Sequence, residues 1–155
     1  MNICVDAGFL IGLYDYKDEY HDQAVTHFTN LLGSSSNRLV TPWPILYETV
    51  STRMARSRKG LMLFERDWRR LLRQQRIELL SDLPFGEGVV EECFEGLEMS
   101  RYRALSAADR VVRKMLADTG PRIDAFVTFN TFNAQILLTS AGNLALGSIP
   151  ETKGM

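Results

Sequence analysis

The chain has 155 residues, enough for one domain with a hydrophobic core, and its 45% hydrophobic and 24% charged residues are ordinary globular usage. A net charge of −1 excludes a strong overall electrostatic attraction to nucleic acid. No apolar stretch approaches the roughly 20 residues that cross a bilayer, and the N-terminus lacks a signal-peptide layout. We therefore expect a cytoplasmic protein, with no membrane contact, whose two cysteines, Cys4 and Cys93, are reduced.

Predicted strands and helices alternate along the chain. The strands lie at residues 2–5, 38–41, 77–80 and 125–129, with a last short strand within 137–146. The helices lie at residues 9–13, 20–32, 44–58, 61–74, 89–99 and 106–117, with a break at Lys59-Gly60. This alternation predicts an α/β fold with a mostly parallel sheet covered on both faces. We predict one domain over residues 1–149 and a flexible tail over residues 150–155.

Three carboxylates follow local patterns that place them at one edge of such a sheet. Asp6 ends the apolar run of the first strand, whereas Glu48 and Asp109 each lie near the start of a helix. An open α/β sheet brings strand ends and helix starts together at the carboxyl ends of its strands. Converging carboxylates without a neutralising Lys or Arg favour a hard divalent cation such as Mg²⁺ or Mn²⁺. Such a cation near a phosphodiester activates water and stabilises charge, without a protein nucleophile.

Each carboxylate also has a local structural explanation. Asp6 can cap the helix that follows it, and Ser106 with Asp109 has the spacing of a capping box. Glu48 can be a solvated helix acid. Taken singly, these explanations are at least as good as a metal site, but the joint pattern of the three favours the site. The sequence has no G-x-S-x-G, C-x-x-C or H-E-x-x-H motif and only two histidines, which disfavours nucleophilic and zinc hydrolysis.

Positive charge is concentrated in one part of the chain. Nine of the 18 Lys and Arg residues lie between residues 53 and 76. Four of them follow i, i+3, i+4, i+7 spacing and form one helical stripe: Arg66, Arg69, Arg70 and Arg73. This stripe can bind phosphates, it can be an ordinary solvated helix face, or it can receive an acidic segment of a partner protein.

Several segments resemble PIN-domain proteins, in particular the VapC-like ribonuclease toxins. The similar segments are residues 5–13, 18–21, 44–50, 105–109 and 126–130, and together they extend over nearly the whole chain. The resemblance implies a single PIN-like domain with a parallel five-stranded sheet between helices. It also implies metal-dependent hydrolysis of RNA at an acidic pocket holding Asp6, Glu48 and Asp109, usually with an antitoxin partner and commonly as a homodimer.

The chain departs from the family at the fourth acidic position, where it has Asn130 and, three residues later, Asn133. Asp124 is not a substitute, because it precedes Asn130 by six residues, roughly 20 Å along a strand. We predict that Asn130 is a weak fourth ligand or a substrate contact. The first hypothesis is a divalent-metal-dependent endoribonuclease, the toxin of a toxin–antitoxin pair. The alternative is a catalytically weakened PIN-like module that binds RNA or a protein partner.

Overall fold

The computed structural model describes residues 1–51, 53–95, 105–118 and 123–129, together with the backbone of residues 145–148. Asn130, Asn133 and the tail at residues 150–155 lie outside the described residues, as do parts of the predicted segments 89–99 and 137–146. The predicted domain boundary at residue 149 lies there too and stays a prediction. Among the described residues, we find no helix with the length and apolarity of a bilayer span.

The strands form a parallel sheet in the order β3-β2-β1-β4-β5. They are β1 (Asn2–Val5), β2 (Arg38–Pro42), β3 (Ile77–Leu80), β4 (Ala125–Thr128) and β5 (Ala145–Ser148). β1 is central, with Ile3 paired to Leu39 on one side and to Ala125 on the other. The described neighbours in the sheet pair in parallel, so the predicted α/β fold with a parallel sheet is confirmed.

Helices lie between β1 and β2, between β2 and β3, and between β3 and β4. They are α1 (Ala7–Tyr14), α2 (His21–Gly33), α3 (Trp43–Ser51), α4 (Arg53–Arg56), α5 (Arg58–Arg73), α6 (Val89–Glu95) and α7 (Ala107–Ala117), with a short 3-10 helix at Leu83–Phe85. Three consecutive residues of β1, Ile3, Cys4 and Val5, have no solvent exposure. Because neighbouring strand residues point to opposite faces, both faces of the sheet are covered at β1. Cys4 and Cys93 are free thiols, as predicted.

The predicted helix break at Lys59-Gly60 is wrong, because both residues lie in the first turn of α5. The break comes earlier, at Ser57, whose hydroxyl accepts a hydrogen bond from the Gly60 amide at 3.1 Å and caps the helix. A Cβ atom on Gly60 would lie 2.8 Å from the carbonyl oxygen of Tyr14. The glycine therefore serves the close approach of α1 to α5, which no local sequence pattern reveals.

The amino-terminal edge of the sheet is closed by Asn2 and Asp124. The Asn2 amide donates to Asp124 Oδ2 at 2.8 Å, and the Asp124 amide donates to the Asn2 carbonyl oxygen at 2.8 Å. Asp124 thus lies at the start of β4, whereas Asp6 directly follows the end of β1. Since the two strands are parallel, this places Asp124 at the opposite edge from Asp6, in agreement with the sequence-based expectation.

Candidate functional site

Asp6 is held at the junction of β1, β4 and α1. It is the N-cap of α1, and its Oδ1 atom accepts a hydrogen bond from the Phe9 amide at 2.6 Å. Its Oδ2 atom accepts the hydroxyl proton of Thr128, and its own amide donates to the Val127 carbonyl oxygen at 3.1 Å. The capping interpretation of Asp6 is therefore confirmed. The same bonds fix the carboxylate at the carboxyl edge of the two central strands.

Asp109 is fixed by a capping box at the start of α7. The Asp109 amide donates to Ser106 Oγ at 3.1 Å, and Asp109 Oδ2 accepts the Ser106 amide at 3.1 Å and the Ser106 hydroxyl at 2.9 Å. The capping-box prediction is thus confirmed. All of these side-chain bonds to the carboxylate use Oδ2, which leaves Oδ1 without a hydrogen bond to any residue within the described ranges.

Glu48 is presented by α3, which begins directly after β2. Its neighbour Thr49 is completely buried and donates its hydroxyl proton to the Ile45 carbonyl oxygen at 2.8 Å. This buried side of the helix anchors α3, so the adjacent Glu48 side chain is exposed at the sheet edge. A carboxylate at an exposed position can still act as a ligand, because Mg²⁺ keeps several of its waters and needs only one or two carboxylates.

The structure brings the three predicted carboxylates to one pocket of about 170 Å³. Asp6, Glu48 and Asp109 line it together with Gly8, Ile45 and Thr128. The lining residues that the structure describes include no Lys or Arg. No described lining side chain therefore neutralises the negative charge of this pocket. The three carboxylates come from separate parts of the chain.

The electrostatics of the pocket disfavour full ionisation. Burial raises the pKa of Asp6 to about 6, hydrogen bonds from Thr128 and the Phe9 amide oppose this shift, and the charges of Glu48 and Asp109 add to it. Burial and the charge of Asp109 also raise the pKa of Glu48. A bound cation would reduce this repulsion between the carboxylates.

The donor chemistry suits a magnesium or manganese ion. Carboxylate oxygens are the preferred ligands of such ions. Within the described part of the chain, no group of three or more His, Cys, Asp or Glu side chains is arranged so that it could hold a metal ion. Mg²⁺ usually binds through one or two carboxylates and keeps several waters, so Asp6 and Asp109, with Glu48 in the same pocket, are the residues that would hold it.

The arginine stripe of α5 does not extend toward this pocket. α5 leads through a short turn into the start of β3, and β3 is parallel to β2. Arg73, the last residue of α5, therefore lies near the amino-terminal edge of the sheet, opposite the carboxyl edge where Asp6 lies. In addition, Arg69 pairs with Glu65 at 2.8 Å, while Arg66 and Arg70 pair with Asp67 at 3.2 and 3.4 Å. The phosphate-binding interpretation of this stripe stays a prediction.

Two residues near the pocket, Thr128 and Tyr47, have no functional signal in the sequence. Thr128 lies within a segment that carries the family resemblance, but only the fold shows that its hydroxyl holds Asp6. Tyr47 precedes Glu48, and 58% of it is exposed. An aromatic residue in an apolar helix start gives no sequence signal of exposure, because the same pattern is typical of a core residue.

Solved structures of other proteins share this architecture. No family model and no curated protein matches the sequence. The toxin VapC20 of Mycobacterium tuberculosis, described as cleaving the sarcin-ricin loop, matches with a TM-score of 0.57 and 18% identity over 86% of this chain and 94% of that chain. A chain of VapBC2 from Rickettsia felis, bound to a DNA fragment from its promoter, matches with a TM-score of 0.57 and 15% identity over 96% and 98%. The chain therefore has a PIN-domain, VapC-like fold.

Proposed function

We propose that this protein is a divalent-metal-dependent endoribonuclease and the toxin of a toxin–antitoxin pair. The observation that carries the proposal is the shared pocket of Asp6, Glu48 and Asp109, which has no described Lys or Arg in its lining. The structural likeness to VapC20, a toxin that cleaves the sarcin-ricin loop, supports RNA as the substrate class.

In this proposal, Asp6, Glu48 and Asp109 hold Mg²⁺ or Mn²⁺. Such an ion lowers the pKa of water and offsets the charge that develops on a phosphodiester during hydrolysis. Thr128 orients Asp6, because its hydroxyl donates to one carboxylate oxygen while the Phe9 amide donates to the other. Carboxylates fixed in this way place a cation at one point, so the phosphate that it attracts is placed as well.

The proposed reaction requires no covalent intermediate on the protein. The lining residues that the structure describes include no Ser, Cys or His, and the Thr128 hydroxyl proton is already donated to Asp6. Water is therefore the nucleophile that this pocket fits. We propose that Asn130, through its amide oxygen, is a weak further ligand or a substrate contact at the same edge of the sheet, because it follows β4 by two residues.

The test is a cleavage assay on RNA in Mn²⁺, Mg²⁺ or chelator, using single-stranded oligonucleotides and a sarcin-ricin loop hairpin. We compare the natural protein with Asp109→Asn and with Asp22→Asn, which removes an exposed first-turn acid of α2 that does not line the pocket. We expect metal-dependent cleavage by the natural protein and by Asp22→Asn, and none by Asp109→Asn. Cleavage by all three proteins, or cleavage in chelator, contradicts the proposal.

A catalytically weakened binding module remains the alternative, and Asn130 separates it from the enzyme. If only Asn130→Asp cleaves RNA with metal, the natural chain is the weakened module. If the natural chain already cleaves RNA at a similar rate, the three acids suffice.

We also propose an antitoxin protein as a partner, because the matching Rickettsia felis chain comes from a VapBC2 complex. Purification of the protein after co-expression with the product of a neighbouring small gene tests this. Co-elution that suppresses cleavage supports the antitoxin. Cleavage that continues unchanged in the presence of each neighbouring gene product contradicts it. A homodimer stays a prediction, which light scattering can test on the same preparation.

A further inference from the structure

One aromatic side chain beside the pocket is exposed in a way that the fold does not require. The ring of Tyr47 stacks on the ring of Trp43, with centroids 5.5 Å apart and planes at 29°, and 58% of Tyr47 remains exposed. Trp43 is partly buried and packs against the hydrophobic core. The inner ring of the pair is thus held by the core, while the outer ring is presented to solvent.

The helix that carries the pair is rigidly placed. Ile45 and Leu46 of α3 are buried, and Thr49 is completely buried with its hydroxyl bonded to the Ile45 carbonyl oxygen. A ring presented by such an element loses little conformational freedom when a flat ligand stacks on it. An aromatic pair at i, i+4 stabilises a helix by only a few tenths of a kcal/mol, so helix stability alone is a weak reason for this exposure.

The position of Tyr47 relative to the acids identifies the ligand class. Glu48 is the next residue, its Cα atom is about 3.8 Å away along the chain, and both Glu48 and Ile45 line the acidic pocket. Tyr47 itself does not line the pocket, so a base that meets its ring belongs to a nucleotide next to the phosphate in the pocket. Bases stack on exposed aromatic rings when they are unpaired, and such stacking tolerates any base because every base has a π-face.

We propose that Tyr47, backed by Trp43, is a stacking platform for an unpaired nucleobase adjacent to the phosphodiester in the acidic pocket. This inference rests on the proposed function, because it assumes RNA at that pocket. The platform makes single-stranded or looped RNA the substrate class. It makes Tyr47 a residue for substrate binding, and it leaves the chemistry to the carboxylates.

Binding is measured separately from cleavage, on an Asp6→Asn background in Mg²⁺ at low salt, because the phosphate is expected in the pocket only when a cation offsets the charge of the carboxylates. Fluorescence anisotropy compares Asp6→Asn with its Tyr47→Leu and Tyr47→Phe derivatives on a labelled single-stranded RNA, on a fully paired duplex, and on single strands carrying one abasic site at successive positions. We expect Tyr47→Leu to weaken single-strand binding about 5- to 100-fold and Tyr47→Phe to change it by less than about 3-fold. Unchanged melting temperatures verify that the Leu and Phe derivatives are folded.

The abasic strands locate the base. At one position the abasic strand should bind Asp6→Asn as weakly as the intact strand binds the Leu derivative, and the two losses should not add. Equal binding by the Leu and Tyr proteins overturns the platform, as does a loss on the duplex as large as on the single strand. If no protein binds any strand, the platform is also overturned, whereas the proposed nuclease is judged separately by metal-dependent cleavage in the natural chain.

Discussion

The surroundings of Asp67 differ from those of the three pocket acids. Asp67 on α5 is 7% exposed, and its carboxylate is 3.2 Å from Arg66, 3.4 Å from Arg70 and 3.4 Å from the Tyr14 hydroxyl. Asp6 and Asp109 in the pocket accept hydrogen bonds, but no Lys or Arg lines their pocket within the described residues.

The difference separates a structural acid from a binding acid. A carboxylate removed from water must be compensated by a cation or by hydrogen bonds, and Asp67 has both within the chain. Asp6 has hydrogen bonds, yet its pKa is raised because burial and two neighbouring carboxylates outweigh them. No described residue of the lining brings a compensating positive charge, and we propose that a cation from solution supplies it.

The largest expected effect is a loss of RNA cleavage, and we expect it for substitutions of the pocket acids and not of Asp67. Asp6→Asn should lower metal-dependent RNA cleavage by at least about 100-fold, because it removes a charged ligand. Asp67→Asn should retain cleavage within about 3-fold at a temperature where it is folded, because Asp67 lies outside the pocket lining. Initial rates on one RNA measure both. Equal losses in the two variants would erase the proposed distinction between the acids.

Stability should respond in the reverse order. Asp67→Asn should lower the free energy of unfolding by about 1–2 kcal/mol, because it leaves the buried Tyr14 hydroxyl and the exposed Arg66 and Arg70 side chains facing an uncharged amide. Asp6→Asn should not destabilise the protein in chelator, since asparagine is an equally good N-cap. Denaturant unfolding of both variants measures this. A destabilised Asp6→Asn protein with an unaffected Asp67→Asn protein would reverse the comparison.

Divalent cations should stabilise the protein through the pocket alone. Mg²⁺ or Mn²⁺ at about ten times the dissociation constant should add about 1.4 kcal/mol to the free energy of unfolding, because the ion binds the folded state. The same ion should not stabilise Asp109→Asn to that extent, whereas Asp67→Asn should keep the full increment. Thermal melts in metal and in chelator test this. A NaCl solution of equal ionic strength without divalent metal is the control.

The smallest expected effect is the pH dependence of stability in chelator. The folded-state pKa of Asp6 is about 6, above the unfolded value of about 3.9, so the folded state binds more protons between these values. The Asp6 contribution to stability is therefore present below pH of about 4 and is lost as the pH rises through 6. Asp6→Asn should gain about 1 kcal/mol over the natural chain as the pH rises between these limits, because asparagine has no proton to lose. A constant difference across this range would exclude the shift.

The fold and the three acids could be predicted because their signals are local. The apolar run before Asp6, the capping box of Ser106 and Asp109, and the helix start that holds Glu48 are each confirmed by the contacts that they make. Their meeting in one pocket follows from the alternation of strands and helices, which is also visible in the sequence.

The remaining features depend on contacts between distant residues. Gly60 was predicted to break a helix, but the nearby carbonyl of Tyr14 explains the glycine. The Arg66 and Arg70 side chains formed a plausible phosphate stripe in the sequence, yet their nearest acid is Asp67 and the stripe runs toward the opposite sheet edge. Asn130, which the sequence identifies as the unusual position, lies outside the described residues.

The hydrogen bond from the Phe9 amide to Asp6 makes the Phe9 amide resonance a reporter of metal binding. Its length of 2.6 Å makes the Phe9 amide proton a direct neighbour of the carboxylate that we assign to the metal. Drawing electron density from Asp6 toward a cation weakens this bond, so the Phe9 ¹⁵N–¹H resonance should move in proportion to occupancy. A backbone signal from one residue of the ¹⁵N-enriched protein can then record metal affinity in the absence of RNA and of turnover.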